Sequence, residues 1–561
     1  MRLLIALGLF MASLVLLLVG VAQRTVWAPP SEYRMSVEFD AANPFVVVPN
    51  ATLSAHPGVP IVTTSGSNNL FIATGRESDV LAWVGETSHT MISLEDEKLV
   101  ATSVTGSGLK ASPVGADLWR TEVSAENVAL LKTPSEDGGA AILATDGNKP
   151  APGRVELVWP IKFDLFGSDL LIWIGSGLLV LALILNFISY RTLRKRRGPS
   201  RRVPKAPQGP KLRLSKPPRM APPRGRRSAR GKLAAPAALV TLALLTGCSP
   251  AAPSEEPTPT PTAVAGDPPV VQQAQLARIL SEVASAAKAG DAKNDRAKLA
   301  SRFQGPALEQ RIAYYSLRKL DANLPKLPTI AGKPITFTLP AATTLWPRTV
   351  MAVTDEDGDA NPQMLVLQQA NPRAQYQLWY NIRLMPGAMI PSVPVPEIGA
   401  IPVAADAKFL TVVPKLLPKV YGTVIDNGAG SPNADLFDLS ADEFFKQISE
   451  SQDAQVAALK NGKITFSHTL GNSNVLALAT TEGGALVAVS MVDGYTIRPT
   501  KAGSAITVTG LEKTMLGASG SPTGIVSRYS DMLLFYIPAS GSEARAKILG
   551  VTQGLLSVRS R

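Results

Sequence analysis

The sequence predicts a multidomain membrane protein: an all-β domain between two apolar spans, then an α+β region behind a third, shorter apolar segment. Three observations carry this expectation. Two runs of about twenty apolar residues are present, and a dense basic tract directly follows the second. The third run ends in the only cysteine. Between the two long runs lie uniformly short strand-like stretches, and behind the third, helical periodicity is followed by strands. The net charge of +12 invites a nucleic-acid partner. However, residues 191–232 hold 17 basic and no acidic residues, and without that tract the chain carries −5. The basicity is local, and no aromatic residues are interleaved in the tract for base stacking, so no nucleic acid is expected as a partner.

Taken in order, residues 1–24 read as an N-terminal transmembrane signal anchor, since residues 3–22 carry no charge and Arg2 precedes them. Gly20-Val21-Ala22 is an acceptable small-residue cleavage site, so removal of residues 1–22 stays open. Residues 27–165 read as an all-β domain. Runs such as "PFVVVP", "NLFIATGR", "DVLAWVGE" and "GRVELVWP" recur between turn formers. Trp83, Trp119 and Trp159 are expected in its core, because no polar cluster accompanies them. Residues 169–190 form the second span. The "RTLRKRR" that follows holds that end in the cytoplasm, so the domain before it is expected outside the cell. The basic linker, residues 191–232, alternates cations with proline. It cannot pack a core, and contact with anionic lipid is the partner it suggests.

Residues 233–248 have the length of a signal h-region, with Arg230 and Lys232 in front. Leu245, Thr246, Gly247 and Cys248 resemble the bacterial lipobox, which implies lipidation at Cys248. Residues 249–268 are a Pro/Ser/Thr-rich tether. A single cysteine excludes intramolecular disulfides, and His56, His89 and His468 have no metal-ligand spacing. Neither metal nor cofactor is expected.

Two α+β units follow, residues 269–392 and 393–561. In the first, Leu276, Ile279, Leu280, Val283 and Ala287 keep helical spacing, Asp291 is a candidate cap for the next helix, and Pro306 opens that helix. Four strands come next. In the last, Tyr376, Leu378, Tyr380, Ile382 and Leu384 alternate with polar neighbours and Trp379, which predicts one buried face. The second unit opens with a helix that Pro418 must bend or break. A capping box at Ser440 to Glu443 and a further set of strands come after it.

Several stretches, "LLTGCSP", "ALEQRIAYYSLRKL", "YQLWYNIRL" and "NVLALATTEGGALVAVSMV", together resemble actinobacterial envelope lipoproteins of unknown function. That resemblance implies NTF2-like folds, in which helices cover a curved antiparallel sheet, over residues 240–561. The N-terminal half, with "QRTVWAPP", resembles a membrane-anchored β domain of the same bacteria. Neither resemblance brings a catalytic motif.

The expected function is therefore non-enzymatic: binding or scaffolding an envelope protein partner in assembly or secretion, from a multi-pass position in the cell membrane with the folded domains extracytoplasmic. The alternative is an envelope enzyme or a lipid/glycan carrier using an NTF2-like pocket, with His468 and Trp379 as candidate pocket residues. A deep pocket with convergent polar groups near His468 would favour the alternative, and an exposed apolar patch would favour scaffolding. Two further motifs are set aside. The acidic run "DEDGDANP" lacks the glycine and glutamate placement of a calcium loop, and Ser316-Leu317-Arg318-Lys319 has no companion elements of a serine acyltransferase.

Overall fold

The computed structural model describes residues 2–27, 31–133, 138–161, 166–196, 267–355, 362–471 and 473–561. The lipobox with Cys248, the basic linker beyond Arg196, nearly all of the tether and the acidic run at 356–361 lie outside the described residues.

The chain opens with helix α1 (Arg2–Arg24). The β domain contains β1 (Glu32–Glu38), β2 (Phe45–Val48), α2 (Asn50–Leu53), β3 (Ile61–Arg76), α3 (Glu77–Val84), β4 (His89–Glu95), β5 (Lys98–Val104), β6 (Thr121–Lys132), β7 (Gly139–Ala144) and β8 (Arg154–Pro160). Helix α4 (Phe166–Arg196) follows. Both α1 and α4 are long and apolar enough to cross a membrane, by length and composition. They pack as an antiparallel pair, with Arg24 at the end of α1 bonded to Asp169 at the start of α4. Small residues allow the approach: a Cβ on Gly20 would stand 2.8 Å from Ile172 Cγ1, and one on Gly175 would stand 3.0 Å from Leu17 Cγ.

The strands of the β domain form one eight-stranded sheet in the order β1-β8-β3-β7-β2-β4-β5, with β6 also paired to β3. The long strand β3 pairs with β8 through its first residues and with β7 through its last, while the end strands β1 and β5 approach each other, so the sheet nearly closes into a barrel. Alternation then sends residues to two cores. Val46, Val48, Leu143 and Trp159 fill the interior, while Phe45, Val47 and Ile142 pack outward against α3. All three tryptophans are buried, as the sequence suggested. "DVLAWVGE", read as a strand, is helix α3. Val80, Trp83 and Val84 keep helical spacing, and Glu77 and Asp79 sit in its first turn, where the helix dipole favours them. The domain is accordingly sheet-rich rather than all-β.

The remaining region begins with α5 (Gln273–Lys293) and α6 (Gly305–Leu320), then β9 (Ile335–Pro340), β10 (Arg348–Thr354), β11 (Gln363–Gln369) and β12 (Gln377–Arg383), which form a four-stranded antiparallel sheet. Strand β12 buries the face read from its alternation. Asp291 does not cap α6. It stays inside α5 and binds Arg311 and Tyr315 of α6, each at 2.5 Å. Next come α7 (Leu417–Asn427), α8 (Glu443–Ala458), β13 (Gly462–Leu470), β14 (Leu476–Ala479), β15 (Ala485–Pro499), β16 (Ile506–Thr507), α9 (Gly510–Leu516), β17 (Gly520–Ser521), β18 (Ile525–Ile537) and β19 (Lys547–Ser560). Pro418 lies in the first turn of α7, where a missing N–H costs nothing. The cap of α8 is Asp442, whose carboxylate accepts Phe445 N at 2.8 Å, not Ser440. Strands β13-β15-β18-β19 form the third sheet, with β14 added to β15.

The boundary at 392/393 divides the sheets but not the core. Leu486, Ala488, Met532 and Leu534 of the third sheet join the core of the second sheet and α5. Their neighbours Val487, Val489, Leu533 and Phe535 face α7 and α8 instead. Both faces of β15 and β18 are therefore buried along their central residues, which makes the two α+β halves one body.

This body packs on the β domain through buried ion pairs. Arg302 forks onto Asp117 at 2.5 and 3.1 Å, and Asp117 also accepts Tyr376 N at 2.6 Å. Arg348 donates to Asp79 at 2.7 Å while stacking 3.6 Å from the centre of the Trp346 ring. Arg373 donates to the carbonyls of Trp83 (2.7 Å) and Val84 (3.0 Å) at the end of α3, where free carbonyls concentrate partial negative charge.

Candidate ligand-binding site

The register of the third sheet gathers polar side chains onto the face that looks toward α7 and α8. His468 lies opposite Asp493 across β13 and β15, Asp493 opposite Tyr529 across β15 and β18, and Asp531 opposite Gln553 across β18 and β19. These positions continue the phase of Met491, Leu533 and Phe535, which belong to the core under α7. At one end of the sheet, then, the apolar core gives way to a polar cluster drawn from all four strands.

Beside that cluster is a cavity of about 930 Å³. Helix α8 forms one wall, the segment from β16 to α9 another, and the strands supply Phe466, Asp493, Tyr495, Tyr529 and Gln553. It opens to solvent at Ser451, Ala458 and Lys460. Glu512 of α9 ties the walls together, accepting hydrogen bonds from the Tyr495 hydroxyl and from the Tyr529 hydroxyl at 2.9 Å. Burial raises both phenol pKa values, and Glu512 adds to the rise, so both stay protonated donors. Gln553 reaches Asp493 at 3.5 Å.

Asp493, on this wall, also meets His468, which stands behind it together with Asp426. The fully buried His468 ring binds Asp426 through Nδ1 at 2.8 Å and faces Asp493 through Nε2 at 3.3 Å. Burial alone would lower its pKa, but the hydrogen bond and charge of Asp493, with those of Asp426, outweigh it and the pKa rises. Asp531 is fully buried, and neither carboxyl oxygen makes a hydrogen bond of normal geometry. Burial, reinforced by the Asp493 charge, pushes its pKa up to about 8, so it holds its proton at neutral pH.

Helix α7 closes over His468 because residue 422 is glycine. A Cβ there would lie 2.6 Å from His468 Cβ. Gly422→Ala is expected to lever α7 off β13 and cost about 1–3 kcal/mol, as overpacking of a tight contact does. A lowered urea midpoint is the readout, and an unchanged midpoint would mean that the contact relaxes freely.

The two candidate pocket residues read from the sequence do not share a site. His468 is on β13 of the third sheet, and Trp379 is on β12 of the second, where Gly305 packs on its ring. Neither lines the cavity. The sequence reading missed Asp493, Tyr495, Glu512, Tyr529 and Asp531. A signal was present in "SRYSDMLLFYIP", where Asp531 falls in phase with Leu533, Phe535 and Ile537, the buried face of the strand. The other two histidines stand apart from this cluster: His56 stacks on Tyr33, and His89 bonds the Thr87 carbonyl. Ser316 donates to the Ile312 carbonyl within α6.

No curated protein and no solved structure matches the chain. Residues 267–560, just over half of its length, match the family model of a domain of unknown function, DUF8094, and the chain belongs to that family.

Proposed function

We propose that this is a membrane-anchored envelope protein whose DUF8094 region binds a small cationic ligand without chemically transforming it. The cavity between α8 and the third sheet carries the reading. Its lining combines the carboxyl groups of Asp493 and Glu512 with the rings of Phe466, Tyr495 and Tyr529, against one basic residue, Lys460, at the rim. Acceptors beside aromatic faces favour an ammonium or guanidinium group, and a concave site of this volume suits a small molecule. Asp531 and His468 would suit acid–base chemistry, but a catalytic group must reach the proton it moves, and both stand behind the wall. That placement supports binding over turnover.

Helices α7 and α8 over one face of an antiparallel sheet, with a cavity at one end, support the NTF2-like resemblance. The paired apolar helices α1 and α4, with the basic residues after α4, support a multi-pass arrangement in which the folded region is extracytoplasmic. Lipidation at Cys248, contact of the linker with anionic lipid and an envelope protein partner belong to the same proposal and rest on the sequence.

Calorimetric titration of the detergent-solubilised chain with spermidine, choline, a neutral disaccharide and inorganic phosphate tests it. Saturable binding of a cation is expected. It should weaken about tenfold or more in Asp493→Asn, the loss anticipated for a charge-assisted contact. Preference for phosphate, or no cation binding, would sink the reading.

A further inference from the structure

We infer that the β domain is the docking partner of the DUF8094 region, and that the two form a protein–protein complex which does not need the covalent connection between them. The contact is complementary in charge and direction. The DUF8094 side supplies three guanidinium groups, Arg302, Arg348 and Arg373. The β side supplies their acceptors: Asp117, Asp79 and the carbonyls that end α3. Those acceptors all lie outside residues 267–560, so the family region by itself leaves these arginines without them.

The arrangement has the features of a specific interface rather than of incidental contact between neighbouring domains. Arg302 and Asp117 are 3% and 2% exposed, and Arg348 is fully buried. Charges this deeply desolvated are tolerated only when paired, so they fix one partner and one orientation. Around them, Trp346 joins the apolar cluster of Trp83 and Trp119, and Arg373 lies over the Trp83 ring at 4.9 Å. Buried Arg and Trp at the centre of a contact are the residues that dominate binding energy between proteins. The hold is also reciprocal. Arg76 of the β domain donates to the Pro269 carbonyl at 2.5 Å, gripping the chain where the DUF8094 region begins, and Arg278 donates back to the Trp119 carbonyl at 2.7 Å. On the DUF8094 side these contacts come from the stretch between Pro269 and Tyr376, and on the other side from the β domain. Cleavage before Cys248 would therefore leave the halves together.

The test uses the intact chain, tagged at its N-terminus, carrying Cys248→Ala and a protease site between Pro257 and Thr258. After cleavage in detergent, the released C-terminal fragment has neither apolar helix, so only the interface can retain it. Capture on the tag is expected to keep the fragment at physiological salt. The double variant Asp79→Asn/Asp117→Asn is expected to weaken retention roughly 30-fold or more, as removal of one partner from buried charge pairs does. Circular dichroism of the released fragment checks that it is folded. Quantitative release of the wild-type fragment in folded form overturns the proposal, and so does equal retention of the double variant. Unfolding of the wild-type fragment on cutting also overturns it, because a true partner complex survives the cut.

Discussion

Replacing Arg302 with alanine is expected to destabilise the folded unit by about 3–5 kcal/mol, because the substitution leaves a buried carboxylate without its cation. Asp117 is 2% exposed and cannot recover water, and its remaining partner, the Tyr376 amide at 2.6 Å, does not neutralise it. Glu282, the other partner of Arg302, is half exposed and should lose little. Arg302→Lys should recover only part of the loss, since an ammonium group cannot fork onto both carboxyl oxygens as the guanidinium does at 2.5 and 3.1 Å. Urea unfolding followed by tryptophan fluorescence reads the effect, because Trp83 and Trp119 lie in the adjoining cluster. A loss under 1 kcal/mol for Arg302→Ala would mean that water reaches Asp117. Replacing Arg302 and Asp117 together with apolar residues of similar volume should cost much less than either single change, because buried ion pairs impose specificity more than stability.

The strands most visible in the sequence are those with one wet face or with uniformly apolar stretches. Strand β12 declares itself through Leu378, Tyr380 and Ile382, and β10 and β11 through continuous apolar runs that prove wholly buried. Helix α5 declares itself through its 3.6-residue stripe. Failures came where the local signal was short or diluted. Eight residues of "DVLAWVGE" satisfy strand and helix patterns alike, and burial of Val80, Trp83 and Val84 against the sheet decides for helix. Strand β19 gives no continuous signal in the sequence, because Gly550 and Gly554 interrupt its apolar alternation. Gly550 is required, since a Cβ there would meet the Arg383 carbonyl oxygen at 2.7 Å, whereas one at 554 would press only on the Gln310 side chain at 3.0 Å.

The candidate site was harder to read for a different reason. His468 was visible as an isolated histidine in phase with Ile464 and Phe466, but its meaning depends on Asp493 across the strand pair and Asp426 on a helix more than forty residues earlier. Register between distant strands is a long-range property, set by which faces must be buried together, and no local window contains it. Charged residues standing in phase with apolar ones along a strand are the local trace of such a site. Asp493 follows Val487, Val489 and Met491 at two-residue steps, and Asp531 precedes Leu533, Phe535 and Ile537 in the same way.

That buried acid carries the second large expectation. Asp531→Asn should stabilise the protein at pH 7 by roughly 2–4 kcal/mol and should flatten its stability at higher pH. The folded state holds the Asp531 proton up to a pKa of about 8. The unfolded chain releases it near the ordinary aspartate value of ~3.9. Below that value both states are protonated, and the residue imposes no penalty. As pH rises from about 4 toward 8, the unfolded state binds fewer protons than the folded one, so stability falls by up to ~1.4 kcal/mol per unit until Asp531 ionises in the folded state as well. Asparagine has the shape of the protonated acid and nothing to release, so its advantage should vanish near pH 4 and grow toward pH 8. Comparing variant with wild type at each pH cancels the other titrating groups, including His468, except for the modest coupling between neighbours. Because Asp531 lies behind the cavity wall, the same substitution should leave cation binding intact where Asp493→Asn weakens it. A variant less stable than wild type at pH 7 would show instead that the carboxylate is ionised and held by His468, reversing the assignment of the proton.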